Sequence, residues 1–131
     1  MVSGVKGLGD RAKRRVLIVD DSPQVRQELR TLLPLAGDIE IVGEAADGLE
    51  AIQMAEALQP QVILMDLEMP VMDGYQAARQ LKARYPACRV IALTVHGYEE
   101  ARQKALQAGV DDFVVKGVSI EILLQAISGH L

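Results

Sequence analysis

From Arg15 onward the chain alternates short apolar runs with longer stretches of helical periodicity, five times over. That alternation predicts a β/α repeat. The runs Val16–Val19, Val62–Met65, Val90–Leu93 and Phe113–Val115 are continuously apolar, as strands covered by helices on both faces are. In Ile39–Glu44, charges interleave with apolar residues, which predicts an edge strand with less cover. Helix starts are legible between the strands. Ser22-Pro23 places a capping hydroxyl before a proline at the first helical position, and Val25, Leu29, Leu32 and Leu33 mark a buried stripe behind it. Asp47-Gly48 and Asp73-Gly74 open the next two helices, each with a carboxylate suited to cap free N–H groups. Gly109 closes the fourth helix as a left-handed cap, and Ile120, Leu123, Leu124 and Ile127 give the fifth its apolar face. Five such units joined by right-handed crossovers form an open parallel sheet between helical layers. Ligands of such sheets gather at the carboxyl ends of the strands, where the strand order reverses.

Composition narrows the class. A chain of 131 residues, half of them apolar but only four aromatic, makes one aliphatic domain that hides about two thirds of its unfolded surface. One cysteine, Cys88, and two histidines, His96 and His130, supply neither a disulfide framework nor a four-ligand zinc site. A reducing, cytoplasmic setting is the expectation. No apolar stretch approaches the roughly 20 residues of a bilayer crossing, and residues 1–15 lack the apolar core of a secretory signal. The net charge of −4 is uneven: Lys6, Arg11, Lys13, Arg14 and Arg15 against Asp10 give the first 15 residues +4 and the remainder −8. Residues 1–14 therefore read as a basic, glycine-rich leader and residues 15–131 as the domain. The acidic domain is ill suited to gripping a nucleic-acid backbone itself.

The residues at or just past the strand ends carry the chemistry. They are Asp20 and Asp21 after the first strand, Asp66 after the third, Thr94 at the fourth and Lys116 after the fifth. A lone aspartate at a strand end is ordinarily a helix cap. Three carboxylates converging on one crevice repel each other, and a divalent cation relieves that repulsion. The donors are all oxygen, which selects a hard ion, Mg²⁺ or Mn²⁺. Magnesium is commonly completed by a phosphate oxygen, and Lys116 and Thr94 add the ammonium and hydroxyl that position a phosphoryl group. An aspartate carboxylate can attack phosphorus to give an acyl phosphate. On this reading alone the acceptor is Asp20, Asp21 or Asp66.

Val-Asp20-Asp21-Ser22, the stretch from Asp66 through Met69-Pro70 to Asp73-Gly74, Leu93-Thr94 and Phe113-Val-Val-Lys116 closely resemble the receiver domain of two-component response regulators. The resemblance spans Arg15 to about Ser128. Gly43-Glu44-Ala45, Lys116-Gly117 and Ile122–Ile127 look most like receivers of the LuxR/NarL type, which precede a helix-turn-helix. It implies a flavodoxin-like (βα)5 fold, a doubly wound parallel sheet with strand order 2-1-3-4-5. It implies that Asp66 is phosphorylated by a sensor histidine kinase or a small acyl phosphate. Asp20, Asp21, Asp66 and the backbone carbonyl of Glu68 would bind Mg²⁺. Thr94 and Lys116 would engage the phosphoryl group, and Phe113 matches the switch aromatic. The output would pass through the surface of the fourth helix, fifth strand and fifth helix. It would act on a homodimer or partner, and on DNA only through a further C-terminal domain; the alternative is a stand-alone relay.

Some positions depart from the family's pattern. Val95 stands where a small residue is usual, so its branched side chain is expected to slow phosphorylation by small donors and prolong the acyl phosphate. His96 and the side chain of Glu68 lie where water approaches the phosphoryl group, although a loop histidine facing solvent explains His96 as well. Gly117 replaces a proline that is often cis, and a trans bond is expected there, since a non-proline cis bond costs about 3 kcal/mol. Cys88 reads as a small half-buried residue, and Tyr75 and Tyr98 as cover for the helix–sheet margin. A Mg²⁺-dependent phosphatase acting on free substrates is disfavoured, because there is no Asp-x-Asp pair, Gly-rich phosphate loop or substrate cap. A module with a vestigial site is disfavoured because all five polar site residues are present.

Overall fold

The computed structural model describes residues 12–129. Five strands, β1 (Arg14–Val19), β2 (Ile39–Ala45), β3 (Val62–Met65), β4 (Arg89–Thr94) and β5 (Asp112–Val115), alternate with five helices. The helices are α1 (Pro23–Ala36), α2 (Gly48–Leu58), α3 (Gly74–Arg84), α4 (Glu99–Gln107) and α5 (Ile120–Ser128). All pairings are parallel and the order is β2-β1-β3-β4-β5, as expected. Residues 1–11, most of the basic leader, and His130 lie outside the described residues. Among the described residues no helix is long and apolar enough to cross a membrane.

Continuous apolar strands arise because alternate residues feed opposite layers. Leu17, Val19, Ile63, Met65, Val90 and Ala92 pack with α2, α3 and α4, largely against alanines such as Ala51, Ala55, Ala77, Ala78 and Ala105. Val16, Ile18, Leu64, Ile91, Leu93 and Val114 pack with Leu33 of α1 and Leu123, Ala126 and Ile127 of α5. Sandwiching the three central strands this way turns their carboxyl ends into one rigid rim.

Three details differ from the pattern-based reading. β5 is the other edge, so Phe113 and Val115 are only partly covered. Leu32 is 51% exposed, and the stripe of α1 narrows to Leu33 with Leu29 packed beside it. Val42 is an extra residue in β2: Val16 pairs with Ile41 and Leu17 with Gly43, a bulge that shifts register at the edge. The helix caps are as read. Ser22, Asp47 and Asp73 accept from Val25, Glu50 and Gln76 N–H at 3.3, 2.8 and 2.9 Å. Past α4, Gly109 (φ +101°) donates to Leu106 and Val110 to Ala105, which closes the helix end. The bond before Gly117 is trans, and Gly117 itself takes φ +98°.

Candidate functional site

The break in strand order falls between β1 and β3, and the site opens there. Asp20 follows β1 and is 2% exposed; Asp66 follows β3 and is 8% exposed. The ladder continues just past both strands, with Asp20 N–H on Ala45 O at 3.0 Å and Asp66 N–H on Val19 O at 2.9 Å. Both carboxylates are thereby fixed by backbone, not by loop. Asp21 is exposed beside them, and carboxylate oxygens of Asp20, Asp21 and Asp66 all lie within 4.8 Å of one another.

Lys116 closes the cluster. Its Nζ is 2.7 Å from Asp20 Oδ2 and 3.3 Å from Asp66 Oδ2. It is delivered by the turn after β5, where Lys116 N–H reaches Thr94 O at 2.7 Å. Thr94, the last residue of β4, is buried, and its hydroxyl accepts the N–H of His96 at 3.3 Å. Asp20 Oδ1 accepts Ser22 N–H at 2.9 Å and Asp66 Oδ1 accepts Glu68 N–H at 3.2 Å. Asp20 is held more tightly by the lysine, and Asp66 keeps the looser contact.

Burial pushes the Asp66 carboxyl above its usual 3.8, and the charge of Asp20 adds to this; the Glu68 N–H and Lys116 oppose it without cancelling it. Burial alone would lower Lys116, but the hydrogen bond to Asp20 and the charges of Asp66 and Asp20 outweigh it and raise the ammonium above 10.5. One lysine does not neutralise three carboxylates. Asp66 staying raised despite Lys116, together with an all-oxygen donor set, fits a hard divalent cation that keeps some of its own water.

The other expected site residues lie around this centre. Glu68 and His96 are joined across the mouth, with Nδ1 2.8 Å from Oε2, and His96 stacks on Tyr98 at 5.5 Å between ring centroids. Tyr98 is 64% exposed and does not cover the helix–sheet margin. Val95 is 60% exposed. Phe113 is apart from the cluster, level with Ala92 and half-buried on the layer that holds α4. Cys88 is buried, not half-buried, and burial pushes its thiol up to about 11.

Two contacts at the site were not legible in the sequence. Arg26 Nη1 donates to the backbone carbonyl of Asp20 at 2.6 Å, and its Nε donates to Glu44 Oε1 at 3.1 Å. The only linear signal is an arginine one turn into a helix whose first residues follow Asp20.

The chain matches the family model of the response regulator receiver domain over residues 16–128. It is 37% identical over 112 residues to the nitrate/nitrite response regulator protein NarL of Escherichia coli, covering 86% of this chain and 52% of that protein. It is 42% identical over 113 residues to the response regulator protein VraR of Staphylococcus aureus, covering 86% and 54%. The chain thus spans about half the length of these curated relatives. The solved signal receiver domain of the putative response regulator NarL from Mycobacterium tuberculosis superposes with a TM-score of 0.82 at 33% identity, covering 90% of this chain and 98% of that one. Receiver domains are signalling modules that bind Mg²⁺ in an acidic pocket and switch on phosphorylation, and by family model, sequence and fold together this chain belongs to the response regulator receiver domains, of the LuxR/NarL type.

Proposed function

We propose that Asp66 accepts a phosphoryl group from a sensor histidine kinase, or from a small acyl phosphate, and that the modified domain signals through its α4–β5–α5 surface. The observation that carries this reading is Lys116 Nζ between Asp20 and Asp66 at 2.7 and 3.3 Å, with buried Thr94 joined to the Lys116 backbone N–H through its carbonyl. Asp66 stands out from Asp20 because its oxygens are held at longer distance, by Lys116 at 3.3 against 2.7 Å and by a backbone N–H at 3.2 against 2.9 Å. In the transfer, a carboxylate oxygen of Asp66 forms the new P–O bond as the bond from phosphorus to the donor nitrogen or oxygen breaks, and the donor leaves with that electron pair. Asp20, Asp21, Asp66 and the Glu68 carbonyl would hold Mg²⁺, or Mn²⁺, which supplies charge neutralisation at the phosphoryl oxygens. Lys116 moves its hydrogen bonds to one phosphoryl oxygen, and the Thr94 hydroxyl donates to another.

Phe113, one strand over from Ala92, reports the Thr94 displacement at the outer edge of the sheet. Val95, His96 and the Glu68 side chain tune how donors and water approach. The output is a homodimer or partner contact in the cytoplasm, and transcriptional where the domain is part of a longer LuxR-type regulator; this domain touches no DNA or membrane itself. Incubation with acetyl phosphate and Mg²⁺ tests the reading. The expected result is a mass gain of one phosphoryl group that disappears in Asp66→Asn and on chelation. Modification that persists in Asp66→Asn would overturn the assignment.

A further inference from the structure

Asp20 and Asp21 are held very differently. The Asp20 side chain and N–H are fixed by Ser22, Lys116 and Ala45. Asp21 is exposed, and no side-chain hydrogen bond of its own holds it among the described residues. Its direction therefore depends on the peptide plane that joins it to Asp20. The carbonyl of that peptide is the one Arg26 grips, at 2.6 Å. Rotating this plane would swing Asp21 away from Asp20 and Asp66.

Arg26 is itself fixed from β2. Its Nε meets Glu44 Oε1 at 3.1 Å, and the other oxygen of Glu44 takes Arg30 Nη1 at 2.9 Å. Glu44 directly precedes Ala45, whose carbonyl receives the N–H of Asp20. Both backbone ends of Asp20 are thus tied to the same edge strand, the N–H directly and the carbonyl through Arg26. The side chain of Arg26 is 18% exposed, so water competes weakly for these bonds. A guanidinium serves two acceptors in a fixed fork, which an ammonium does not reproduce.

We infer that Arg26, oriented by Glu44, is a positioning residue for the divalent-cation site: it locks the Asp20–Asp21 peptide so that Asp21 faces Asp20 and Asp66. The inference rests on the Mg²⁺-binding reading above. Groups one step removed from a metal's ligands commonly change affinity by about 10–100-fold when removed. Calorimetric titration of Mg²⁺ into the full chain, paired with the Mg²⁺ dependence of acetyl phosphate labelling and thermal unfolding in chelator, separates positioning from general stability. Arg26→Met is expected to weaken Mg²⁺ binding roughly tenfold while the labelling rate at saturating Mg²⁺ stays near wild type. Arg30→Met removes the other bridge to Glu44 without touching Asp20, and its Mg²⁺ affinity is expected to stay within about twofold, well short of that loss. Arg26→Lys, which keeps charge and stem but not the fork, gives the same test where Arg26→Met does not fold. Wild-type Mg²⁺ affinity in Arg26→Lys or Arg26→Met, or equal losses in Arg26→Met and Arg30→Met, overturns the inference. Absence of Mg²⁺ binding by the unmodified chain overturns the metal reading itself, and this outcome is distinct from the others because it needs no variant.

Discussion

Val71 is a β-branched residue at φ +68°, 77% exposed, with Met72 N–H on Pro70 O at 2.7 Å. A γ-turn of this positive-φ kind is rare, and valine is poorly suited to its centre. The loop accepts it because it must return quickly after Asp66: Gly74 N–H reaches back to Leu67 O at 3.0 Å. Val71→Gly is expected to stabilise the domain by roughly 0.5–1 kcal/mol, the strain of a left-handed side chain less the entropy glycine adds to the unfolded state. Urea unfolding measures it, and a midpoint at or below wild type would show that the turn is unstrained. The same scale explains what residue types alone left open at the site. Three aspartates of one chemistry become distinct only through partners: Asp20 gripped by Lys116 at 2.7 Å, Asp21 exposed, Asp66 between them with the longer contact. Those partners come from strands far apart in sequence, so no local pattern encodes them.

At the scale of elements, each Asp-Gly pair has two functions. The aspartate caps the helix, and the glycine lets backbone pass where a side chain has no room. A Cβ on Gly48 would lie 2.5 Å from Met72 O; one on Gly74 would overlap the carbonyl oxygen of Asp66 and sit 2.7 Å from Leu67 Cα. Backbone cannot yield as a flexible side chain does. Gly74→Ala is expected to cost about 2–3 kcal/mol and to slow Asp66 labelling, because α3 and the end of β3 must separate. Thermal unfolding and acetyl phosphate labelling check both, and a stability loss below about 0.5 kcal/mol would refute the close approach. Elements of this kind were legible because their signals are local: caps, glycines and unbroken apolar runs. The bulge at Val42, the exposure of Leu32 and the partial cover of Phe113 were not. Each depends on which strands end up at an edge and how far the neighbouring helix reaches. A run of Phe-Val-Val reads alike at an edge and at the centre.

Over the whole molecule, arginines at the amino ends of β1 and β4 reach over the carboxyl ends of two helices. Arg15 donates to Gln59 O and Leu58 O at 2.7 and 2.6 Å, Arg14 to Ser128 O at 3.1 Å and Arg89 to Ala126 O at 2.6 Å. These cations cover carbonyls at the carboxyl ends of α2 and α5, where the helix dipole favours them. Arg14, placed by its charge in a leader of residues 1–14, thus belongs to β1 together with Arg15. The site carboxylates Asp20, Asp21 and Asp66 gather at the opposite end. Because the folded-state value of Asp66 is raised above 3.8, its contribution favours the fold below that pH and is lost as pH rises through the raised value. Lys116, raised above 10.5, contributes stability that is present at neutral pH and is lost only on the alkaline side of that value. Because ionising this buried carboxyl costs the fold, Asp66→Asn is expected to raise Tm at neutral pH in chelator. The gain should vanish as pH falls below about 4, where the wild-type carboxyl is protonated. Mg²⁺ at ten times its Kd should add about 1.4 kcal/mol to the wild type and less to the variant, which has lost one ligand. Thermal scans across pH with and without Mg²⁺ decide it: an Asp66→Asn variant less stable than wild type at pH 7 in chelator would mean that Lys116 already balances the cluster, leaving the cation no electrostatic deficit to relieve.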